Sequence, residues 1–203
     1  PLPRLVTQAL VILAGGASRR LGQCKALVEW SGATTLERLA RAGAAFDALR
    51  PLVVAGADLE RIAARTPRGV ECVFNPHWAQ GRTSSVLAAR DARPGMDLCI
   101  APVDTPLVEA DVFALLAASW ARAGAPERGW LAPCTTQEPR RFGHPIVIGR
   151  GLLGELDAGE SLRELRARAA PLLHAPCAFE SILDDLDTPE DLSLLRRRAA
   201  GAG

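Results

Sequence analysis

Lysine is almost absent from this sequence of 203 residues. Of its 24 lysine and arginine residues, Lys25 is the one lysine, and every other basic side chain is an arginine. Lysine carries a compact, mobile point charge, whereas arginine carries a planar fork of donors. A single lysine can persist by chance on a surface turn. Because Lys25 follows a glycine-rich stretch, it is also a candidate contact for an anionic ligand.

Features that would indicate a membrane, secreted or nucleic-acid-binding protein are also missing. No apolar run approaches the roughly 18 residues that span a bilayer. The formal net charge of +1 gives no reason to expect nucleic acid or an anionic membrane as a partner. The opening residues, PLPRLVTQ, lack the basic region and cleavage site of a signal peptide. We therefore expect a cytoplasmic protein.

Cysteine and histidine are too few and too dispersed to predict a disulfide framework or a zinc site. The five cysteines are odd in number and form no Cys-x-x-Cys pair, and the three histidines are equally scattered. This usage is typical of a protein in a reduced compartment. The residues concerned are Cys24, Cys72, Cys99, Cys134, Cys177, His77, His144 and His174.

Two common nucleotide-binding motifs and the usual nucleophilic triads are absent as well. A P-loop requires Gly-x-x-x-x-Gly-Lys-Ser/Thr, but Gly16 and Gly22 are too far apart and Ala26 follows Lys25. The Gly-x-Gly-x-x-Gly pattern is missing, which disfavours a nicotinamide-dependent oxidoreductase. No Ser/His/Asp or Cys/His arrangement is recognisable, so the sequence does not predict a protein nucleophile.

The stretch LAGGASRRLGQCK, residues 13–25, is a candidate phosphate-binding loop. The apolar run before it, residues 9–13, predicts a short buried strand. The small residues that follow allow the backbone to approach a ligand closely. Free backbone N–H groups followed by fixed positive charge suit a polyphosphate. The charges are those of Arg19, Arg20 and Lys25.

Apolar runs and helical patterns alternate along the chain, which predicts an α/β fold with a mainly parallel sheet covered on both faces. Strands are predicted over 9–13, 51–55, 70–74, 98–102, 130–133, 145–148, 172–175 and 181–183. Helices are predicted from Thr34, over 59–65, 83–92, 107–123, 151–156 and 161–169, and from Thr188 onward.

Candidate ligand-binding side chains follow the predicted strands, since ligands of open parallel sheets bind at the carboxyl ends of the strands. Asp104 lies there, and Thr105 is well placed to cap the next helix, which leaves the Asp104 carboxylate free. Magnesium is usually held by one or two carboxylates together with phosphates of the substrate. Asp104 is therefore the first candidate metal ligand, and the acidic run 184–191 is the source of a second.

Several motifs together resemble the MobA-like nucleotidyltransferases over nearly the whole chain. Residues 13–25 match the signature Leu-Ala-Gly-Gly-x-Ser-x-Arg-x-Gly-x-x-Lys, and residues 75–85 match Asn-x-x-Trp-x-x-Gly-x-x-Ser-Ser. Residues 185–192 resemble the Asp-x-Asp-Thr-Pro-Glu-Asp-Leu ending of the family. Residues 143–145, Gly-His-Pro, resemble a motif found mainly in the cytidylyltransferase branch.

The resemblance implies a Rossmann-like three-layer sandwich and assigns roles to individual residues. The chain is then expected to form one domain over 1–203. This domain has a nucleotide-binding half (about 1–123) and an acceptor-side half (about 124–203), and the second half contains a small β-rich subregion. Asp187, directly before Thr-Pro, becomes the second metal ligand, with Asp185 a less certain neighbour. His144 is an acceptor contact or, equally, a turn residue before a strand. The implied nucleotide contacts are Leu13, Ala14, Gly15, Gly16, Ser18, Arg20, Gly22, Lys25, Asn75, Gly81 and Ser85.

The implied reaction moves a nucleoside monophosphate from a nucleoside triphosphate to a phosphorylated acceptor and releases pyrophosphate. Arg20, Lys25 and Asp104 are the expected catalytic residues, and Mg²⁺ on Asp104 and Asp187 is the expected cofactor. The pterin-type molybdenum cofactor is the expected acceptor, and a molybdoenzyme or its maturation chaperone is a candidate partner. Arg82 stands where an apolar residue is more usual, so its role stays open.

The nucleotide is predicted by conflicting motifs. The Ala-Gly-Gly of residues 14–16 resembles the guanylyltransferase loop, whereas the downstream motifs resemble the cytidylyltransferase branch. The longer and more numerous matches favour CTP. GTP-dependent transfer, a sugar-phosphate acceptor and a non-catalytic nucleotide-binding protein remain the alternatives, and intact Lys25, Asp104 and Asp187 argue against the last.

Overall fold

Strands and helices alternate in the computed structural model, which describes residues 8–46 and 50–201. The opening residues, PLPRLVTQ, which we expected not to be a signal peptide, therefore lie largely outside the described residues. The strands are β1 (Gln8–Ala14), β2 (Glu29–Trp30), β3 (Ala33–Thr34), β4 (Leu52–Ala55), β5 (Glu71–Phe74), β6 (Asp97–Pro102), β7 (Trp130–Thr135), β8 (Ile146–Ile148) and β9 (Leu172–Cys177). The helices are α1 (Thr35–Ala42), α2 (Leu59–Arg65), α3 (Arg82–Ala92), α4 (Ala110–Arg122), α5 (Arg150–Leu153), α6 (Leu162–Ala167) and α7 (Pro189–Gly201).

Seven of these strands form one mixed sheet in the order β5-β4-β1-β6-β8-β7-β9. The first four are mutually parallel, β8 runs antiparallel to both of its neighbours, and β7 and β9 are parallel. β1 and β6, near the centre of the sheet, consist almost entirely of buried residues. Strands buried on both faces are continuous apolar runs, which is why they could be recognised in the sequence.

Two apolar cores lie on opposite faces of the sheet, because successive side chains of a strand point to opposite sides. Leu10 and Ile12 of β1 belong to the core that also contains side chains of α1, α2 and α4. Val11 and Leu13 belong to the core packed against α3, α5 and α6. The predicted three-layer α/β architecture is confirmed.

A third, smaller apolar cluster connects α7 to the segment after β1. Its centre is Leu186, which is fully buried. The backbone N–H of Leu186 donates to the carbonyl oxygen of Asp104 at 2.8 Å, so the chain before α7 is attached to the end of β6. The cluster comprises Leu21, Val28, Trp30, Leu107, Leu186, Leu192 and Leu195.

The two capping boxes in the sequence are present in the structure. Thr34 Oγ1 accepts from the backbone N–H of Glu37 at the start of α1, and Ser161 does the same for Glu164 at the start of α6. Each glutamate in turn accepts from the backbone N–H of its partner, which satisfies donors that a helix start leaves free. Among the described residues, no helix combines the length and apolar character needed to cross a membrane.

Two local predictions are wrong. Thr105 does not cap α4, because its hydroxyl donates to the carbonyl oxygen of Pro102 and α4 begins only at Ala110. Residues 181–183 are not a strand but part of a 3₁₀ turn, Glu180–Leu183. That turn is closed locally, by a bond from the N–H of Asp184 to the carbonyl oxygen of Ser181, in place of a ladder to a neighbouring strand.

Candidate active site

A cavity of about 390 Å³ opens at the carboxyl ends of β1 and β6, the position expected for a ligand in this type of sheet. Glycine-loop residues form one wall, the start of α3 another, and two aspartates a third. The lining residues are Leu13, Gly15, Gly16, Ser18, Arg19, Arg20, Lys25, Trp78, Gly81, Arg82, Ser85, Pro102, Val103, Asp104 and Asp187.

The loop after β1 is closed by two hydrogen bonds to Ser18. The N–H of Gly22 donates to the Ser18 carbonyl oxygen at 3.1 Å, and the N–H of Lys25 donates to Ser18 Oγ at 3.2 Å. Gly22 has a backbone φ angle of 74°, which residues other than glycine rarely adopt. Gly22 and Ala14, both predicted as nucleotide contacts, do not line the cavity. They belong to the frame of the loop.

Gly56, after β4, was not predicted as a site residue, yet the loop depends on it. A Cβ atom built on Gly56 would lie 2.6 Å from Trp78 Cβ and still closer to the carbonyl oxygen of Gly15. The same carbonyl oxygen accepts from the N–H of Ala57 at 3.1 Å. Only glycine lets the loop rest on the end of β4. The sequence marked Gly56 as the end of a strand, but this contact depends on tertiary packing.

Asn75 lies beneath the cavity wall. It is buried, and its Nδ2 donates to Ser84 Oγ at 2.9 Å and to Ser85 Oγ at 3.0 Å. Its Oδ1 accepts from the N–H of His77, which fixes the turn before α3. Ser85, Gly81 and the unpredicted Trp78 reach the cavity. Asn75 therefore orients Ser85 and does not itself line the cavity.

The two predicted metal ligands, Asp104 and Asp187, both line the cavity. Asp187 does not follow a strand, as the sequence suggested, but the 3₁₀ turn and the anchored Leu186. Its carboxylate accepts from Lys25 Nζ at 2.5 Å and from Arg20 Nη2 at 2.6 Å. The hydrogen bond from Lys25, with the charges of Lys25 and Arg20, lowers the pKa of Asp187, so this group is a carboxylate at neutral pH.

The donor set fits a hard divalent cation that is partly coordinated by its substrate. Among the described ranges, no three histidine, cysteine or acidic side chains are grouped to hold a metal ion. Two carboxylates without a third ligand suit magnesium, which retains waters and substrate phosphates as ligands. Asp185 lines the second cavity together with this pair. Burial, followed by the negative charges of Asp187 and Asp104, raises the pKa of Asp185.

A second cavity, of about 550 Å³, adjoins the first. The two share a wall made of three cations and two aspartates: Arg20, Lys25, Arg82, Asp104 and Asp187. His144 lines this second cavity and not the first. The site thus has one compartment beside the glycine loop and a second compartment beside His144, with the charged groups between them.

His144 is held as a neutral imidazole. Burial, followed by the positive charge of Arg82, lowers its pKa to about 4. Arg82 Nη1 lies 3.5 Å from His144 Nε2. Because a guanidinium only donates hydrogen bonds, Nε2 accepts and Nδ1 carries the hydrogen. That Nδ1 atom is buried, and it has no hydrogen-bond partner in the part of the chain that the structure describes.

Arg82, whose role the sequence left open, lies at the junction of the two cavities. Its Nη2 donates to Asp104 Oδ2 at 3.1 Å. Trp78, Pro102 and Val103 are further lining residues that the sequence did not predict, and Arg19 lines the cavity although it occupies a variable position of the loop signature. Trp78 could have been found, since it is a defined position of the motif over 75–85.

Several known proteins resemble this chain in sequence. A family model described as the MobA-like NTP transferase domain matches residues 10–175. Nicotine blue oxidoreductase of Paenarthrobacter nicotinovorans is 30% identical over 90% of this chain and 93% of its own length. Molybdenum cofactor cytidylyltransferase of Escherichia coli is 27% identical over 93% of this chain and 95% of its own.

A solved structure shows the same fold. Rv0371C of Mycobacterium tuberculosis, crystallised in complex with manganese, superposes with a TM-score of 0.72 at 17% identity. The match covers 94% of this chain and 98% of that one. At this level of identity the similarity establishes the arrangement of strands and helices.

Proposed function

The chain belongs to the MobA-like NTP transferase family, and from this premise we propose that it transfers CMP from CTP to a molybdopterin-type acceptor. Nucleotidyl transfer is the activity of the family. The choice of CTP over GTP, the pterin-type acceptor and the use of Mg²⁺ are the parts that we propose. The acceptor's terminal phosphate oxygen attacks the α-phosphorus, the bond between the α-phosphorus and the bridging oxygen breaks, and pyrophosphate leaves.

The observation that carries this proposal is the wall shared by the two cavities. Nucleotidyl transfer needs a donor and an acceptor that meet at one phosphorus atom. The cavity beside the glycine loop has the size and the lining for a triphosphate, and the cavity beside His144 is open to a second substrate. The charged residues at their junction face both compartments, where the reacting phosphates would meet.

Lys25 and Arg20 are placed to balance the negative charge that develops as pyrophosphate leaves. Both side chains reach Asp187 from the glycine loop, so their charges lie where the nucleotide cavity adjoins the second cavity. Catalysis of this kind depends on positioning and on electrostatic stabilisation. The acceptor phosphate is already ionised, so no protein base is required.

Asp104 and Asp187 would hold the magnesium ion, whose charge would offset that of the phosphates when it is bound. The manganese in the solved relative supports a divalent metal in proteins of this fold. In the absence of substrates, Arg20, Lys25 and Arg82 satisfy the two carboxylates. These cations are thus in place to turn from the carboxylates to the phosphates.

The cytidylyltransferase assignment is supported by the motifs over 75–85, 143–145 and 185–192. The similarity to the Escherichia coli cytidylyltransferase extends over most of both chains. The Ala-Gly-Gly of residues 14–16 resembles the guanylyltransferase loop instead. We therefore expect CTP to be used in preference to GTP.

Pyrophosphate release from the purified protein tests the proposal. Each of the four ribonucleoside triphosphates is supplied with and without Mg²⁺ and with and without molybdopterin, and Lys25→Ala is the control for contaminating activity. We expect release with CTP that requires both additions. Pyrophosphate release with GTP and not with CTP would overturn the choice of base. Because one relative is named as an oxidoreductase, NADPH oxidation is followed in parallel, and oxidation without any pyrophosphate release would overturn the proposal.

A further inference from the structure

Arg82 differs from the other cations of the shared wall in what it contacts. Lys25 and Arg20 both come from the glycine loop, and both pair with Asp187. Arg82 comes from the first turn of α3 and pairs with Asp104. Its second terminal nitrogen faces His144, a residue of the second cavity alone.

These contacts divide the cations of the shared wall into two groups, one paired with Asp187 and one with Asp104. The two loop cations lie with the glycine residues that would cradle the triphosphate. The guanidinium of Arg82 lies between Asp104 and His144, a residue that lines the second cavity alone. It is about half exposed, with a side-chain relative accessibility of 48%, so a ligand in that cavity can reach it.

The guanidinium also has unused donors. Of its five N–H groups, one is directed at Asp104 and one at His144, and the remaining three have no hydrogen-bond partner among residues 8–46 and 50–201. A phosphate accepts two parallel hydrogen bonds from such a fork. His144 adds no positive charge, since it is neutral, so it does not replace the guanidinium as the counter-ion of an anion.

We propose that Arg82 binds the attacking phosphate of the acceptor and holds it beside Asp104. This inference rests on the proposed nucleotidyl transfer and names a residue of its acceptor side. Two polyanions must be brought together in the reaction, and their repulsion falls when a fixed cation lies between them. The apolar side chain that is more usual at this position would leave that charge unbalanced.

Arg141 offers a competing assignment within the same cavity. It lines the second cavity, but it does not line the nucleotide cavity and so lies away from the junction. If the acceptor phosphate were bound at the far end of the cavity, Arg141 would be its counter-ion. Arg141→Met is therefore the informative comparison for Arg82→Met, and Arg122→Met at the exposed end of α4 is a neutral control.

Binding of inorganic phosphate gives a readout that does not require turnover. The protein is saturated with Mg²⁺ and the α,β-methylene analogue of CTP, which fill the nucleotide cavity, and phosphate is titrated by calorimetry. Because hydrogen bonds to charged groups are strong, we expect Arg82→Met to weaken phosphate binding by roughly 10- to 100-fold. Arg82→Lys should recover part of the loss, and Arg141→Met and Arg122→Met should bind phosphate within about threefold of the wild type.

Steady-state kinetics give the second readout. Arg82→Met should raise the KM for molybdopterin by at least 10-fold, because it removes a hydrogen bond between two charged groups. The KM for CTP should change by less than threefold, because Arg82 affects the nucleotide only indirectly. Equal phosphate affinities for wild type and Arg82→Met, no phosphate binding to the wild type, or a loss in Arg141→Met in place of Arg82→Met would each overturn the inference. Failure of the wild type to release pyrophosphate would instead overturn the proposed function, and the phosphate titration would still decide the role of Arg82. Circular dichroism and the affinity for the CTP analogue identify a variant that fails to fold.

Discussion

Lys25 Nζ donates a hydrogen bond to Asp187 Oδ1 at 2.5 Å, joining residues 162 positions apart. The lysine ends the glycine loop, and the aspartate stands just before α7. The contact lies in the wall that the two cavities share and places the single lysine of the chain against a candidate metal ligand. A divalent cation on Asp187 would release the ammonium group, which would then be free to bind phosphate.

Replacing Lys25 should impair turnover more than replacing an exposed arginine. Lys25→Ala removes a point charge that is needed most when charge moves onto pyrophosphate, so we expect kcat to fall by roughly 100-fold or more, as on loss of an oxyanion contact. Lys25→Arg should restore only part of kcat, because the fork cannot occupy the place of an ammonium group. Steady-state pyrophosphate release measures both variants, with Arg122→Ala as the control. A kcat for Lys25→Ala close to that of the wild type would remove this residue from the mechanism.

Gly15 is expected to be required for the orientation of Ser85. An added Cβ at Gly15 would lie 2.8 Å from Ser85 Oγ. The hydroxyl would have to rotate away and lose the hydrogen bond from Asn75. Gly15→Ala should therefore raise the KM for the nucleotide by roughly fivefold, the equivalent of one neutral hydrogen bond.

A double variant distinguishes this cause from a general effect on the loop. Gly15→Ala combined with Ser85→Ala should show less than the sum of the two free-energy losses, since the second change removes the atom that the first displaces. Gly16→Ala should have the smaller effect on KM, because a Cβ there meets no atom of the described residues within 4 Å. Additive losses, or a larger loss in Gly16→Ala, would refute the contact as the cause.

Gly143 should be needed to keep the segment that carries Asp187 in place. A Cβ atom on Gly143 would lie 2.6 Å from the carbonyl carbon of Ile182, within the turn before Asp187. Backbone cannot move aside as a side-chain tip can, so Gly143→Ala should reduce the free energy of unfolding by about 1–3 kcal/mol, as in overpacked cores. It should also lower kcat.

Urea unfolding and pyrophosphate release measure the two effects of Gly143→Ala. Gly159→Ala is the matched control, because a Cβ at Gly159 has no atom within 4 Å. If Gly143→Ala had the same free energy of unfolding and the same kcat as Gly159→Ala, the turn would tolerate the extra atom and the prediction would be wrong.

The positions of the strands could be predicted from the sequence, and the environment of Asp187 could not. β1 and β6 are buried on both faces, so their apolar runs identify them regardless of what packs around them. Asp187 reaches the site because Leu186 is buried in the third cluster and bonded to the end of β6. The family signature marked Asp187, but the hydrophobic pattern around it predicted a strand where the chain makes a 3₁₀ turn.

The place of Arg82 also depended on tertiary structure. The sequence shows only that a charged residue replaces an apolar one after Gly81. Its partners, Asp104 and His144, come from the ends of two other segments, 22 and 62 positions away. No periodicity connects them. Gly56 was missed for the same reason, because its requirement arises from the approach of the glycine loop.

His144 should make the folded protein less stable at mildly acidic pH. Its pKa is about 4 in the folded state and 6.5 in a model peptide. Between these values the unfolded chain binds more protons than the folded one, so the contribution of His144 to stability falls as the pH falls from 6.5 towards 4. Urea unfolding across this range should therefore show a shallower dependence on pH for His144→Gln than for the wild type. Identical slopes for wild type and His144→Gln would contradict the burial of a neutral imidazole.

The account depends most on Asp104 and Asp187 serving one magnesium ion, and a double-mutant cycle of Asp104→Asn and Asp187→Asn tests this directly. We measure kcat against Mg²⁺ concentration for the wild type, both single variants and the double variant, and we measure Mn²⁺ binding by electron paramagnetic resonance. If one ion is shared, each single change should remove most of kcat, the double change should cost little more, and nucleotide affinity should fall less than kcat because the glycine loop and Lys25 remain. Losses that multiply, or an Asp187→Asn protein with unchanged metal dependence, would remove Asp187 from the site and leave Asp185 as the second ligand.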